Sequence, residues 1–311
     1  MVDDTSSQDI ANNISKNEDR DVMHRFLFDD TDLRGEVATL GDSYSQVLVN
    51  NPFPESVQTL LGEFLAAASL LSGRLKFDGI LTLQARGEGP LPLIMAECSN
   101  NKELRAVAQL AEGVDHSEYQ GLSLPQLLGK GVLAIIVEPE QGQRYQGIVP
   151  LDADNLAGCL EHYFEQSEQL KTRFWLQADV ASKTAAGMML QAMPEQTCDT
   201  SKNQETWETA EAVAATLTAD EQLGLDHQTL LFRLFHELQV RMFEAEPVRF
   251  HCRCSREASE RALVSLGRQE VESLIAEQEQ IIIDCQFCNQ QYRFGNEDLD
   301  SMFGGSPKQL H

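Results

Sequence analysis

The chain has 311 residues, and its 49 Asp and Glu against 24 Lys and Arg give a formal net charge of −25 and a pI near 4.5. A body that acidic repels phosphate backbones and anionic lipid, which sets nucleic acid and membranes aside as partners. The length allows two domains with a sizeable core; the start at Met1-Val2-Asp3-Asp4 lacks a basic and then apolar leader, and no later run is apolar over a bilayer's width, so a cytoplasmic location with reduced thiols is expected.

In chain order, residues 1–20 are polar and acidic and are expected to form a disordered tail. A β-rich run follows at 22–28 and a short apolar stretch at 37–40. Pro54 opens a strong helix that Gly73 ends, with Val57, Leu60, Leu61, Phe64, Leu65, Ala68 and Leu71 at three- and four-residue spacing. The period then changes to that of strands, at 80–84, 91–97, 105–110, 132–137 and 145–149. Turn residues at 87–90 and 138–142 argue for antiparallel hairpins. A helix over 155–168 and strands at 174–177 and 188–193 complete the expected α+β domain with an antiparallel sheet and packed helices, residues 21–194.

Residues 195–246 read as a metastable helical linker. Acidic residues dominate, and Trp207, Val213 and Leu217 are spread thinly. Thr218 with Glu221 forms a capping box, and Asp226 can cap a second helix whose apolar residues are Leu230, Leu231, Leu234, Phe235 and Leu238. So little apolar surface makes no core of its own, so the segment must dock on a neighbour or stay marginally folded. The plain reading of the acidic run is a solvated helix face; self-repulsion that holds the linker near its folding threshold is the functional one.

The last module, residues 247–304, holds Cys252-Arg253-Cys254 and Cys285-Gln286-Phe287-Cys288, followed by a tail over 305–311. Its pattern predicts a strand at 248–252, a helix from Ser255 to Gly267, a helix over 270–277, and strands at 281–284 and 292–294. Four thiols in two close pairs are the ligand set of a tetrahedral zinc site, and paired spacing without a secretion signal favours metal over a disulfide framework. A module this small leans on its metal, which contributes an apparent ~10 to 16 kcal/mol of folding free energy in such cases. Once a metal has left, a C-x-C pair can join only through a small strained ring, which raises its reduction potential and makes the site a candidate sensor as well as a staple. Cys98 and Cys159 read as buried hydrophobes, Cys198 as an inert thiol, His251 as a bystander beside the ligands, and His227 and His236 as solvated or packing residues.

The chain closely resembles the bacterial thirty-three-kilodalton chaperonin family, the redox-regulated heat-shock holdases. The resemblance runs through Arg34-Gly35-Glu36, Leu75-Lys76-Phe77-Asp78-Gly79, Gly87-Glu88-Gly89-Pro90, Arg144-Tyr145-Gln146-Gly147, Glu168-Gln169-Leu170, Met189-Leu190-Gln191 and the two cysteine pairs. It implies a chaperone that is inactive while reduced and loaded with one Zn²⁺ on Cys252, Cys254, Cys285 and Cys288. Oxidation then joins Cys252 to Cys254 and Cys285 to Cys288, zinc leaves, the zinc module and linker unfold, and the protein, often a dimer, holds unfolding clients without ATP. Asn289 stands where Gly commonly follows the knuckle, Lys171 replaces a usual Pro, and Ala185-Ala186 replace part of a Gly-rich turn, which puts local turn geometry in question.

Enzyme chemistry is not expected: a phosphate-binding G-x-x-x-x-G-K-[ST] loop is missing, and the cysteine module lacks the H-x-E partner of a zinc deaminase. Two other readings stay open. One is an interaction protein with purely structural zinc; the other is a thiol–disulfide oxidoreductase using the C-x-x-C pair.

Overall fold

The structure, a computed structural model, describes residues 20–73, 78–194 and 200–304. The tails expected over 1–20 and 305–311, apart from Arg20, lie outside those residues, as do Cys198 and the Leu75-Lys76-Phe77 part of the family pattern. The chain divides into two compact units, Met1–His251 and Cys252–His311.

The first unit opens with β1 (Val22–Phe28) and β2 (Leu33–Leu40), an antiparallel pair in which Phe26 faces Gly35. A side chain at Gly35 would overlap the Phe26 ring, which accounts for the glycine in Arg34-Gly35-Glu36. Helix α1 (Asp42–Asn50) comes next, and no local signal announces it. Its N-cap is Gly41, and the missing cap is supplied from twenty residues upstream: the Asp21 carboxylate accepts from the backbone N–H groups of Gly41, Asp42 and Ser43.

Helix α2 (Glu55–Ser72) carries every apolar position that its spacing marks, all of them buried. Ala66, Ala67 and Leu70 are buried as well, because the helix lies between two sheets rather than on one. The sheet on one side comprises β3 (Gly79–Gly87), β4 (Leu93–Ser99), β5 (Glu103–Gln109), β6 (Gly131–Pro139) and β7 (Tyr145–Pro150), in the order β5-β4-β3-β6-β7, all antiparallel. The short helix α3 (Leu124–Leu128) precedes β6, and α4 (Leu156–Tyr163) follows β7. The helix expected over 155–168 loses its regular pitch at Tyr163. Residues Phe164–Glu168 form a wider turn, closed by Leu170 N–H donating to Phe164 O at 3.1 Å, with Gln169 left-handed at φ 56°.

Strands β8 (Thr172–Asp179) and β9 (Thr184–Ala192) complete the other sheet, in which β1, β2, β9 and β8 are neighbours in that order. One face of this sheet packs on α2. Its other face, with Phe26, Phe28, Leu33, Val37, Met188 and Leu190, is covered by α5 (Thr200–Ala214) and α7 (His227–Phe235), with α6 (Ala219–Gly224) between them. These helices therefore share a core with the first sheet. After them the chain is extended: β10 (Val240–Met242) and β11 (Glu246–Pro247) pair with β1, and β12 (Arg249–Phe250) adds a parallel strand to β5. The strand expected over 248–252 is thus only two residues long.

The second unit has α8 (Arg256–Leu266), α9 (Arg268–Gln278), the hairpin β13 (Ile281–Asp284) and β14 (Gln291–Phe294), and α10 (Asn296–Phe303). The last helix escapes a reading of periodicity because it spans barely two turns. Its small core gathers Leu263, Val271, Ile275, Ile281, Phe294 and Leu299.

Candidate metal centre

Two local structures carry the cysteines. Cys252 and Cys254 lie on the extended segment that enters α8, whose first turn is capped by Ser255 accepting from Ala258 N–H at 3.1 Å. Cys285 and Cys288 lie in the turn between β13 and β14. There Cys285 N–H donates to Gln290 O at 2.9 Å and Asn289 N–H donates to Cys285 O at 2.8 Å. Asn289 sits at φ 57°, the left-handed conformation that a glycine usually supplies and that Asn tolerates, so the turn keeps its geometry.

The hairpin brings the two pairs together. Cys252 Sγ is 3.5 Å from Cys285 Sγ and Cys254 Sγ is 3.4 Å from Cys288 Sγ, with all four sulfurs within 4.8 Å of one another. All four are half-buried free thiols. A disulfide needs about 2.05 Å, whereas four thiolates at about 2.3 Å around one ion stand ~3.8 Å apart along a tetrahedron edge. The spacing fits a four-sulfur metal site. The donor chemistry agrees: burial and the neighbouring sulfurs push the Cys288 thiol up, and four sulfurs this close can ionise together only against a cation.

The reading from spacing missed two contributors. Tyr292 Oη donates to Cys254 Sγ at 3.2 Å, and this bond raises the phenol to about 12. Arg256 braces the first pair: its guanidinium lies 4.5 Å from the Phe294 ring centroid, pairs with Asp298 at 2.6 Å and donates to Arg293 O at 2.8 Å. Tyr292 could have been suspected from strand alternation, which puts it on the same face as Phe294; nothing local points from Arg256 to Asp298.

Among the described residues, the group of three or more His, Cys, Asp or Glu with ligand atoms this close is Cys252, Cys254, Cys285 and Cys288, and His251 is not in it. Cys98 and Cys159 are fully buried in the first unit's core, where burial pushes the Cys159 thiol up.

In the first unit, Leu230, Leu231, Leu234 and Phe235 are buried against β1 and its neighbours, with Leu238 partly buried beside them. Phe235 packs edge-on to Phe28 at 5.2 Å between ring centroids, and tilted against Phe26 at 6.1 Å. His227 packs rather than being solvated: its Nδ1 lies 2.7 Å from His24 Nδ1, and its Nε2 lies 2.9 Å from Thr39 Oγ1. His236 and Phe232 face outward, the latter 70% exposed.

The family model described as Hsp33 protein matches residues 21–295. The chain is 51% identical over 292 residues to the 33 kDa chaperonin of Pseudomonas paraeruginosa, covering 93% of this chain and 96% of that one. It is 51% identical over 290 residues to the 33 kDa chaperonin of Azotobacter vinelandii, covering 92% and 96%. A crystal structure of the Thermotoga maritima 33 kDa chaperonin superposes with a TM-score of 0.76 over 91% of this chain and 97% of that one; at 23% identity it attests the fold alone. The family match runs from β1 through β14 and takes in all four clustered cysteines, so the chain belongs to the Hsp33 family of chaperonins.

Proposed function

We propose that the protein is a redox-regulated holdase that binds unfolding proteins without ATP and is switched by Cys252, Cys254, Cys285 and Cys288. The observation that carries this reading is the four-sulfur cluster within 4.8 Å, supplied in two pairs by two separate chain segments. When bound, Zn²⁺ would keep all four sulfurs as thiolates and contribute ~10 to 16 kcal/mol to folding of the small unit.

An oxidant of the peroxide class takes two electrons from each local pair. One S–S bond forms between Cys252 and Cys254 and another between Cys285 and Cys288, and each peroxide leaves as two waters after taking up two protons. This pairing separates the segment before α8 from the hairpin. Disulfides across the two segments, Cys252 with Cys285 and Cys254 with Cys288, would instead keep them joined, so only the local pairing removes the staple. The core left behind, Leu263, Val271, Ile275, Ile281, Phe294 and Leu299, is too small to hold the unit alone.

In this reading residues 21–194 are the chaperone body, 195–246 the metastable linker and 247–304 the switch. Unfolding of the switch frays the chain back through the two-residue strand β12 and the short β10 and β11, toward α7. Release of α7 bares Leu230, Leu231, Leu234 and Phe235 together with the sheet face of Phe26 and Phe28, a surface for apolar segments of unfolding clients or, in the activated state, for a second copy. The net charge of −25 keeps such a surface in solution, and the protein acts in the cytoplasm. Among the described residues, no helix is long and apolar enough to cross a membrane. An oxidoreductase role is less well supported, because Cys285 and Cys288 sit in a turn between strands rather than at a helix N-terminus that would depress a thiol.

The test is an aggregation assay with a heat-unfolded client and no nucleotide. Oxidised protein should suppress aggregation at near-stoichiometric ratios, with reversal by reductant. Equal protection by the reduced, zinc-loaded form would overturn the switch, and zinc retained under mild oxidant would favour a purely structural metal.

A further inference from the structure

We propose that Tyr292 is a positioning residue of the sulfur cluster: its hydroxyl, held against Cys254 Sγ, restrains that sulfur's donor strength and so sets how readily the site yields electrons and metal to an oxidant. This rests on the metal reading above and goes beyond it, since Tyr292 belongs to neither cysteine pair.

The contact is held from both sides. In β14 the exposed Gln291 and Arg293 alternate with Tyr292 and Phe294, which face the core; Tyr292 is paired with Ile283 and Phe294 with Ile281. The ring is therefore anchored by the core, and its hydroxyl emerges toward the cluster, 3.2 Å from Cys254 Sγ. On the other side Arg256, two residues after Cys254, ties that segment to β14 through Arg293 O at 2.8 Å and to α10 through Asp298 at 2.6 Å. Cys254 Sγ is also 3.4 Å from Cys288 Sγ, so the hydroxyl lies where the two segments meet.

The chemistry follows from what a donor does to a thiolate. In the oxidation step the Cys254 thiolate attacks a peroxide oxygen, an S–O bond forms, the O–O bond breaks, and hydroxide leaves to take up a proton. The Cys252 thiolate then attacks the resulting sulfenic sulfur, an S–S bond forms, and a second hydroxide leaves. Two electrons pass from the sulfur pair to the peroxide. A hydrogen bond to the attacking sulfur draws charge toward the phenol, lowering both its nucleophilicity and its donation to a metal. Tyr292 thereby acts as a brake on oxidation.

Tyr292→Phe keeps the packed ring and removes the donor. From the reduced, zinc-loaded variant, zinc release to peroxide, followed with a coloured chelator, should be about tenfold faster, a change of the size that outer-shell partners exert on metal sites, because the more nucleophilic sulfur is oxidised sooner. The cobalt-substituted protein supplies a readout that packing alone does not move: without the hydrogen bond, the thiolate-to-cobalt charge-transfer band should shift to lower energy. Replacing Tyr292 by a difluorotyrosine, a stronger donor, should shift the band and the rate in the opposite direction, and serves if Tyr292→Phe folds poorly. A band and rate unchanged by either replacement, in protein that takes up one metal ion per chain, overturn the role of Tyr292 and leave the metal reading standing. Failure of the unsubstituted chain to take up zinc or cobalt overturns both.

Discussion

His24 and His227, 203 positions apart in sequence, stand with their Nδ1 atoms 2.7 Å apart and almost no exposure. One of the two nitrogens must donate and the other accept, so the pair is satisfied when both rings are neutral, and a proton on each would set two N–H groups against each other. Burial first, then the neighbouring His24, lowers His227 to about 3, while the cap Asp226 opposes the shift. Thr39 meets the other ring nitrogen, and β9 offers Ala186 opposite Thr39. Arg20, Asp179 and Asp220 line the cleft that Thr39 and Asp226 share, and Glu244, between β10 and β11, is exposed. A folded-state value below the ordinary 6.5 means that stability is fully present above pH 6.5 and is lost as pH falls toward 3. At pH 5.5 the docking of α7 should be weaker by about 1.4 kcal/mol. Amide exchange over residues 227–235 of the reduced protein should rise on going from pH 7.5 to 5.5 beyond the ordinary chemical effect of pH, and His227→Gln should remove that excess; an excess that survives the substitution assigns it elsewhere. At this scale the four cysteines are legible in sequence because their spacing is local. Tyr292 with Cys254 and His24 with His227 are not, because each partner is supplied by a distant segment.

Helix α7 shows how an element can be legible while its setting is not. Asp226 caps it as the sequence suggests, accepting from Thr229 N–H at 2.7 Å, and the spacing of Leu230, Leu231, Leu234 and Phe235 marks the buried face. What that face meets, Phe26 and Phe28 on β1, lies two hundred residues away. Helix α1 fails in the opposite way: it goes unread because its cap is Asp21, while α2, punctuated by Pro54 and Gly73, is plain. Strands β10 to β12 are two or three residues long, below the length at which alternation carries a signal. The anchor of α7 is Phe235, 1% exposed and packed against both β1 phenylalanines. Phe235→Ala should weaken that docking by ~3 to 5 kcal/mol, enough to free the helix without touching a cysteine. The reduced, zinc-loaded variant should then suppress client aggregation while keeping its metal. If it keeps its metal, exposes α7 to exchange and still does not protect clients, release of this helix is not what activates the protein.

For the molecule as a whole, composition separates residues 195–246 from their surroundings, but packing does not: Trp207, Ala210 and Ala214 of α5 share one core with Val37, Met188 and Leu190 of the first sheet. That arrangement follows from the poverty of the segment. Helices with so few large apolar residues reach a stable state only by borrowing a sheet face, and the proposed switch takes their hold on it to be the weakest part of the first unit's core. The body beneath is better secured, since α2 is buried between two sheets and each strand from β3 to β7 is tied by antiparallel ladders. Oxidation with metal loss should therefore divide the molecule by stability rather than melt it uniformly. Amide exchange should rise over residues 200–294 and stay slow over 22–73 and 78–194, apart from the stretches of β1 that lose β10 and β11. Slow exchange throughout in oxidised, metal-free protein would mean that client binding needs no unfolding. Rapid exchange throughout would mean that the first unit depends on the second for its fold.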